Sequence, residues 1–173
     1  TVESISNKLY TTNDFTFGGT AEVKGTDAGT YDMGLTAGNF TNTSNKFSNV
    51  TFVVTDGQLE ITKRNVTLTS ASDEKVYDGE ALTNETVAVS GDGFATGEGA
   101  TYNVTGSQTN VGSSDNEFTY TLKDGTKASN YTITEKKGTL TVTPVKDTVT
   151  VTIKGNTASE KYDGTEKTVT GYT

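Results

Sequence analysis

Two copies of one short motif are the best candidates for chemistry in this chain. Tyr77-Asp78-Gly79 follows Glu74-Lys75-Val76, and Tyr162-Asp163-Gly164 follows Glu160-Lys161. A tyrosine beside a carboxylate can relay a proton, but catalysis also needs a nucleophile or base within reach. Neither copy has one, and the chain contains no His and no Cys. That removes thiolate and imidazole chemistry, Ser-His-Asp and Cys-His arrangements, and zinc sites of Cys/His type. Disulfides are likewise excluded. The same residues make good structural sense: Asp bonds its own backbone, Gly accepts a positive φ, and Tyr buries its ring while its hydroxyl finds a partner. The motif therefore predicts a strand end, a tight turn, and equivalent, largely buried positions for Tyr77 and Tyr162. No catalytic residue is assigned, and no enzyme is expected.

Other residue groups could also carry chemistry. Residues 91–99 carry four glycines, but a phosphate cradle needs a following helix N-terminus, and the pattern here predicts a mobile loop. Acidic residues gather at Asp73, Glu74, Asp78 and Glu80, and again at Asp92 and Glu98. Calcium is bound by several such oxygens, yet no Asp-x-Asp-x-Asp-Gly loop occurs; calcium is the one candidate ion, and no cofactor is expected. Asn-x-Ser/Thr occurs at Asn39, Asn42, Asn49, Asn65, Asn84, Asn103 and Asn130, which matters only in a source that glycosylates. Lys24, Lys75, Lys123 and Lys161 lie near apolar strands. A buried, unpaired lysine loses its charge and becomes nucleophilic, and near a buried carboxylate it could form an amide crosslink to Asn.

The net charge of −8 argues against nucleic acid, which selects clustered Lys and Arg, and against anionic membrane surfaces. No apolar run is long enough to span a bilayer and no signal peptide is present; if the protein is exported, those parts lie outside these residues. Thr is the commonest residue, Ser, Asn and Gly abound, and Ala and Leu are few. Helix formers are scarce and strand and turn formers plentiful, which predicts an all-β fold. The apolar fraction of 31% suffices if only one face of each strand is apolar.

Period-two alternation places strands at Phe15-Thr16-Phe17, Tyr31 to Leu35, 49–54, Leu59 to Thr62, Val66 to Thr69, 87–89, Tyr102 to Val104, Phe118 to Leu122, 131–134 and 140–142. Asp56-Gly57 and Lys137-Gly138 predict hairpin turns between their flanking strands. The ends of two units match residue for residue. Asn49-Val50-Thr51-Phe52 and Gly57-Gln58-Leu59-Glu60-Ile61-Thr62 recur 81 positions later, as Asn130-Tyr131-Thr132-Ile133 and Gly138-Thr139-Leu140-Thr141-Val142-Thr143. Thr26 to Tyr31 recurs from Thr109. Val66 and Val151 each open a run eleven positions before the motif Tyr. Residues 64–144 therefore read as one complete module, 1–63 as the C-terminal part of another, and 145–173 as the N-terminal part of the next.

In this order, strand, Lys-Val-Tyr-Asp-Gly, a Gly-rich middle, Asn-Tyr-Thr-Ile-Thr and Gly-Thr-Leu-Thr-Val-Thr-Pro, the chain resembles the YDG/MBG-type tandem repeats of bacterial cell-surface proteins. The resemblance implies an extracellular place, on a bacterial surface or secreted fibre, in arrays that serve as adhesin stalks; it carries over no catalytic residue. Strand number and spacing suit tandem immunoglobulin-like β-sandwich modules, with a β-grasp-like arrangement as the alternative. The expected function is a structural repeat of a surface fibre or stalk. The alternative is an adhesin module recognising host glycan or protein through its loops. A glycosidase would need two carboxylates across an aromatic cleft, and there is no Trp. The expected partners are neighbouring copies of the same repeat, head to tail, either covalently continuous or complemented between chains, with no nucleic acid and no membrane insertion.

Overall fold

A computed structural model describes all 173 residues. The fold is all-β. Twelve strands run in chain order: β1 (Phe15–Phe17), β2 (Gly29–Asp32), β3 (Phe40–Asn42), β4 (Gln58–Ile61), β5 (Arg64–Ser70), β6 (Asp73–Val76), β7 (Val87–Gly91), β8 (Ala100–Val104), β9 (Gly112–Asp115), β10 (Phe118–Leu122), β11 (Tyr131–Lys136) and β12 (Thr139–Thr143). The only helices are three-residue 3-10 turns before β1, β3 and β11. No helix is long and apolar enough to cross a membrane.

Residues 64–144 hold eight of the strands. Two of their sheets have three strands, β11-β5-β7 and β6-β12-β9, and β8 pairs with β10. The frame of the module is a pair of long parallel runs. β5 lies parallel to β11, with Ile133 opposite Val66, and β6 lies parallel to β12, with Leu140 opposite Asp73. The register is therefore unbroken from Arg64 to Val76, although each run bends midway and passes from one sheet to the other. Strands that switch sheets through a bend turn the corners of packed β layers. This corrects the hairpin expected at Lys137-Gly138: β11 and β12 do not fold back on each other but continue in one direction, each beside the N-terminal run.

Alternation explains the burial. Val66, Leu68 and Ser70 of β5 point inward, as do Leu140 and Val142 of β12. Fully burying a Leu or Val contributes about 1.5–3 kcal/mol. Val66, Leu68, Phe118 and Tyr131 form one buried cluster, and Leu82, Leu140 and Val142 a second. Leu140 and Val142 do not share a sheet with Tyr131 and Ile133, because β11 and β12 belong to different sheets.

The unit 1–63 repeats part of this plan. β2 pairs antiparallel with β4 as β9 does with β12, and Asp32 meets Gln58 as Asp115 meets Thr139. Met33 N–H donates to the Gly57 carbonyl at 2.8 Å, as Asn116 N–H does to Gly138 at 2.8 Å. The hairpin expected at Asp56-Gly57 does not form either, since β4 pairs with β2 and not with 49–54; the Asp56 carboxylate accepts from Gly34 and Leu35 N–H at 2.8 and 2.7 Å. Residues 49–54 and 149–153 are not paired strands, although both alternate. Rings of Phe15, Phe40 and Phe52 pack edge to face or tilted at 5.5–6.0 Å, and Tyr10 is the only buried residue before Val66. All of 145–173 is exposed. The accessible surface is 12896 Å², against about 8,100 Å² for a compact folded chain of this mass.

Candidate functional site

The two Tyr-Asp-Gly motifs do form the expected turns. Gly79 and Gly164 sit at φ 87° and 81°, where a Cβ would be strained. The Asp78 carboxylate accepts from Lys75 Nζ at 2.7 Å and Glu80 N–H at 3.0 Å. Asp163 accepts from Lys167 Nζ at 2.5 Å, Thr165 Oγ1 at 2.6 Å and Thr165 N–H at 3.0 Å. Ion pairing with Lys75, aided by the Glu80 N–H, holds Asp78 below the usual carboxylate range; the Lys167 bond, then those of Thr165, takes Asp163 to about 2. Each carboxylate is thus engaged in shaping its turn.

The tyrosines correct the sequence reading. Tyr77 is 41% exposed and Tyr162 96% exposed. Tyr77 N–H donates to the Thr143 carbonyl at 2.8 Å, the last rung of the β6–β12 ladder, so its ring lies past the last inward-facing residue, Val142. Tyr162 follows a run that has no partner strand to build a core against.

The buried tyrosine is Tyr131, which opens β11. Its hydroxyl donates to Glu98 Oε2 at 2.5 Å and accepts from Ala95 N–H at 3.0 Å; its ring packs on Phe94 at 5.2 Å. Burial, then the Glu98 bond, raises its hydroxyl above the usual tyrosine value. The glycine-rich segment expected to be mobile is therefore tied down. Asp92 exchanges bonds with the backbone of Asn65, at 2.8 Å each way, and Arg64 donates to the carbonyls of Asp92 and Gly93. No helix follows it.

A polar joint stands where the two parallel runs bend. Asn116, fully buried, donates through Nδ2 to the carbonyls of Ala71 at 2.9 Å and Asn84 at 2.8 Å. Ser70 Oγ donates to the Asn116 carbonyl at 2.6 Å and accepts from Gly138 N–H at 2.9 Å. A Cβ on Gly138 would lie 2.4 Å from the backbone of Ser70 and Ala71, so glycine is what lets the bends touch. A second polar contact joins 1–63 to the module. Asn130 accepts from Ala28 N–H at 2.8 Å and donates to Asp27 at 3.0 Å, and Lys127 pairs with Asp27 at 2.7 Å. The sequence reading missed both: an Asn in a polar loop carries no sign of burial, although Ser-Asn before Tyr131 recurs as Ser48-Asn49 before Val50.

The remaining candidates find no reactive setting. No group of three or more carboxylates gathers to hold an ion, and the Asp78 carboxylate pairs with Lys75. Lys24 reaches Glu22 at 3.0 Å in solvent, Lys75 reaches Asp78, and Lys123 and Lys161 are exposed; none is buried against an Asn. Two shallow depressions, along Ala28 to Thr30 with Glu60 to Lys63 and along Ser72 to Glu74 with Thr139 and Thr141, are lined by hydroxyls and carboxylates, with Lys63 in the first. No known protein family, curated protein or solved structure matches the chain.

Proposed function

We propose that the chain is a structural repeat of an extracellular bacterial surface fibre or adhesin stalk, built from immunoglobulin-like modules set head to tail. One observation carries this reading: the first and last runs of residues 64–144 are parallel and in continuous register. The chain therefore enters the module beside Arg64 and leaves it past Thr143, at the opposite pole. Thirteen residues at about 3.3 Å each separate these poles by about 40 Å, less the bend. A module wired this way passes the chain along its long axis and does not return it. The large open surface, the lack of Cys and the acidic charge accord with an extended exported array. Small-angle X-ray scattering of the chain tests the reading. A compact chain of this length has a radius of gyration of about 16 Å; a stalk segment gives a value well above it with a rod-like profile. A value near 16 Å refutes the stalk.

A further inference from the structure

Two alternating stretches, 50–54 and 149–153, run without a ladder partner. The complete module shows what each lacks. There, 131–136 lies parallel to 64–69, with Ile133 opposite Val66. Residues 50–55 repeat 131–136 at a distance of 81 positions, and 149–154 repeat 64–69 at 85 (Val66 to Val151, Leu68 to Ile153). Carried over pair by pair, the same ladder sets Val151 opposite Phe52 and Ile153 opposite Val54.

The faces agree with this register. Val66 and Leu68 are buried, whereas Val151 and Ile153 are 74% and 64% exposed. Opposite them, Val50, Phe52 and Val54 share one half-buried face, with the Phe52 ring 5.5 Å from Phe15 and 5.6 Å from Phe40. Val53, on the outer face, is 92% exposed. One side is thus a strand with an apolar face and nothing beneath it; the other is a partial core with an open edge.

The two do not pair within the chain. Residues 50–55 precede Arg64 at the entry pole, and 149–154 follow Thr143 at the exit pole, about 40 Å away. The repeat specifies the occupant of the open edge: the equivalent of 64–69, which a second copy offers as its exposed 149–154. A further contact fits the same copy. Asp27 and Ala28 bond Lys127 and Asn130 where 1–63 meets the module. Their repeats are Asn110 and Val111 on one side, and Lys46 and Asn49 on the other, all exposed. Docking 149–154 on the second copy's 50–55 brings these four to one junction, with Val111 N–H facing the Asn49 amide oxygen.

We propose that residues 149–154 of one copy add as a parallel strand to residues 50–55 of a second copy, Val151 opposite Phe52. The contact is heterologous and leaves a free strand and a free edge at the two ends, so it propagates instead of closing. The proposal deepens the fibre reading and rests on it. Engineered cysteines test the register in a chain that has none of its own. Thr152 and Val53 face outward at opposed positions, so the double variant Thr152→Cys/Val53→Cys should form a ladder of disulfide-linked multimers on mild oxidation. Thr152→Cys/Thr55→Cys, displaced by two residues, puts the Cα atoms more than about 7 Å apart and should not. Adding Ile153→Asp to the first pair should abolish the ladder and leave the melting of 64–144 unchanged. No ladder, equal ladders from both pairs, or a monomer closed by an internal disulfide each overturn the proposal. The reduced chain's scattering reports on the stalk reading separately, so a missing ladder from a rod-like chain rejects only the docking.

Discussion

Replacing Asn116 tests whether the polar joint holds the module's bends together. In Asn116→Ala, the carbonyls of Ala71 and Asn84 lose the donors that reach them at 2.9 and 2.8 Å. A buried polar group left without its partner costs about 1–3 kcal/mol, so the two carbonyls together cost about 2–6 kcal/mol. Asn116 Oδ1 has no partner, and removing it returns about 1–2 kcal/mol of that sum. The net loss is centred at about 2.5 kcal/mol. For a domain of this size 1 kcal/mol shifts the melting temperature by about 4–8 °C, so Asn116→Ala should melt about 10–20 °C below the parent in a calorimetric scan. Asn116→Asp sharpens the test. It keeps the shape but turns an oxygen toward the two carbonyls and buries a charge, so at neutral pH it should be less stable than Ala and recover as the pH falls and the carboxyl protonates. An Asn116→Ala variant within about 5 °C of the parent, or an Asp variant as stable as Ala at neutral pH, would refute the assignment of Nδ2 as the donor that joins the runs.

Three further outcomes are expected. Leu140→Ala, at a fully buried site, should cost about 2–5 kcal/mol in urea unfolding, whereas Tyr77→Ala, at a ring 41% exposed, should cost distinctly less; the reverse order would return Tyr77 to the core. Tyr131 has a raised hydroxyl, so its contribution is complete below the unfolded tyrosine value of about 10 and is lost as pH rises through the higher folded value; Tyr131→Phe should lose this alkaline step, seen as a flatter melting-temperature curve above pH 10. Asp163, lowered to about 2, stabilises its turn fully above the unfolded carboxylate value of about 3.9 and loses it as pH falls through about 2; the Thr165 amide resonance should shift with that midpoint, and a midpoint near 3.9 would show that the Lys167 contact does not persist.

Much of this architecture is written locally. Val66 and Leu68, Phe118 to Leu122, and Leu140 and Val142 alternate with polar residues, and a side-chain period of two leaves only strand for such runs. Gly57 to Thr62 recur as Gly138 to Thr143, and the two stretches pair alike, β4 antiparallel with β2 and β12 with β9. The absence of His and Cys excluded whole classes of chemistry without reference to any fold. Turn chemistry was legible too, since Asp78-Gly79 and Asp163-Gly164 bond only their own neighbours.

What only the tertiary structure decided are the partners. Alternation says which face of a strand is apolar but not which strand lies beside it. A parallel pair leaves no local signature, because no short turn joins its members; Lys137-Gly138 therefore reads as a hairpin and is a bend between sheets. Burial of Asn116 and exposure of Tyr77 follow from the same cause. Asn116 sits where two bent runs meet, Tyr77 lies one step past the end of a ladder, and both positions depend on residues 40 to 70 places away. Residues 50–54 and 149–153 carry the strand pattern in full, yet no ladder forms, because hydrogen bonding needs the second strand and the sequence specifies only one side of each pair.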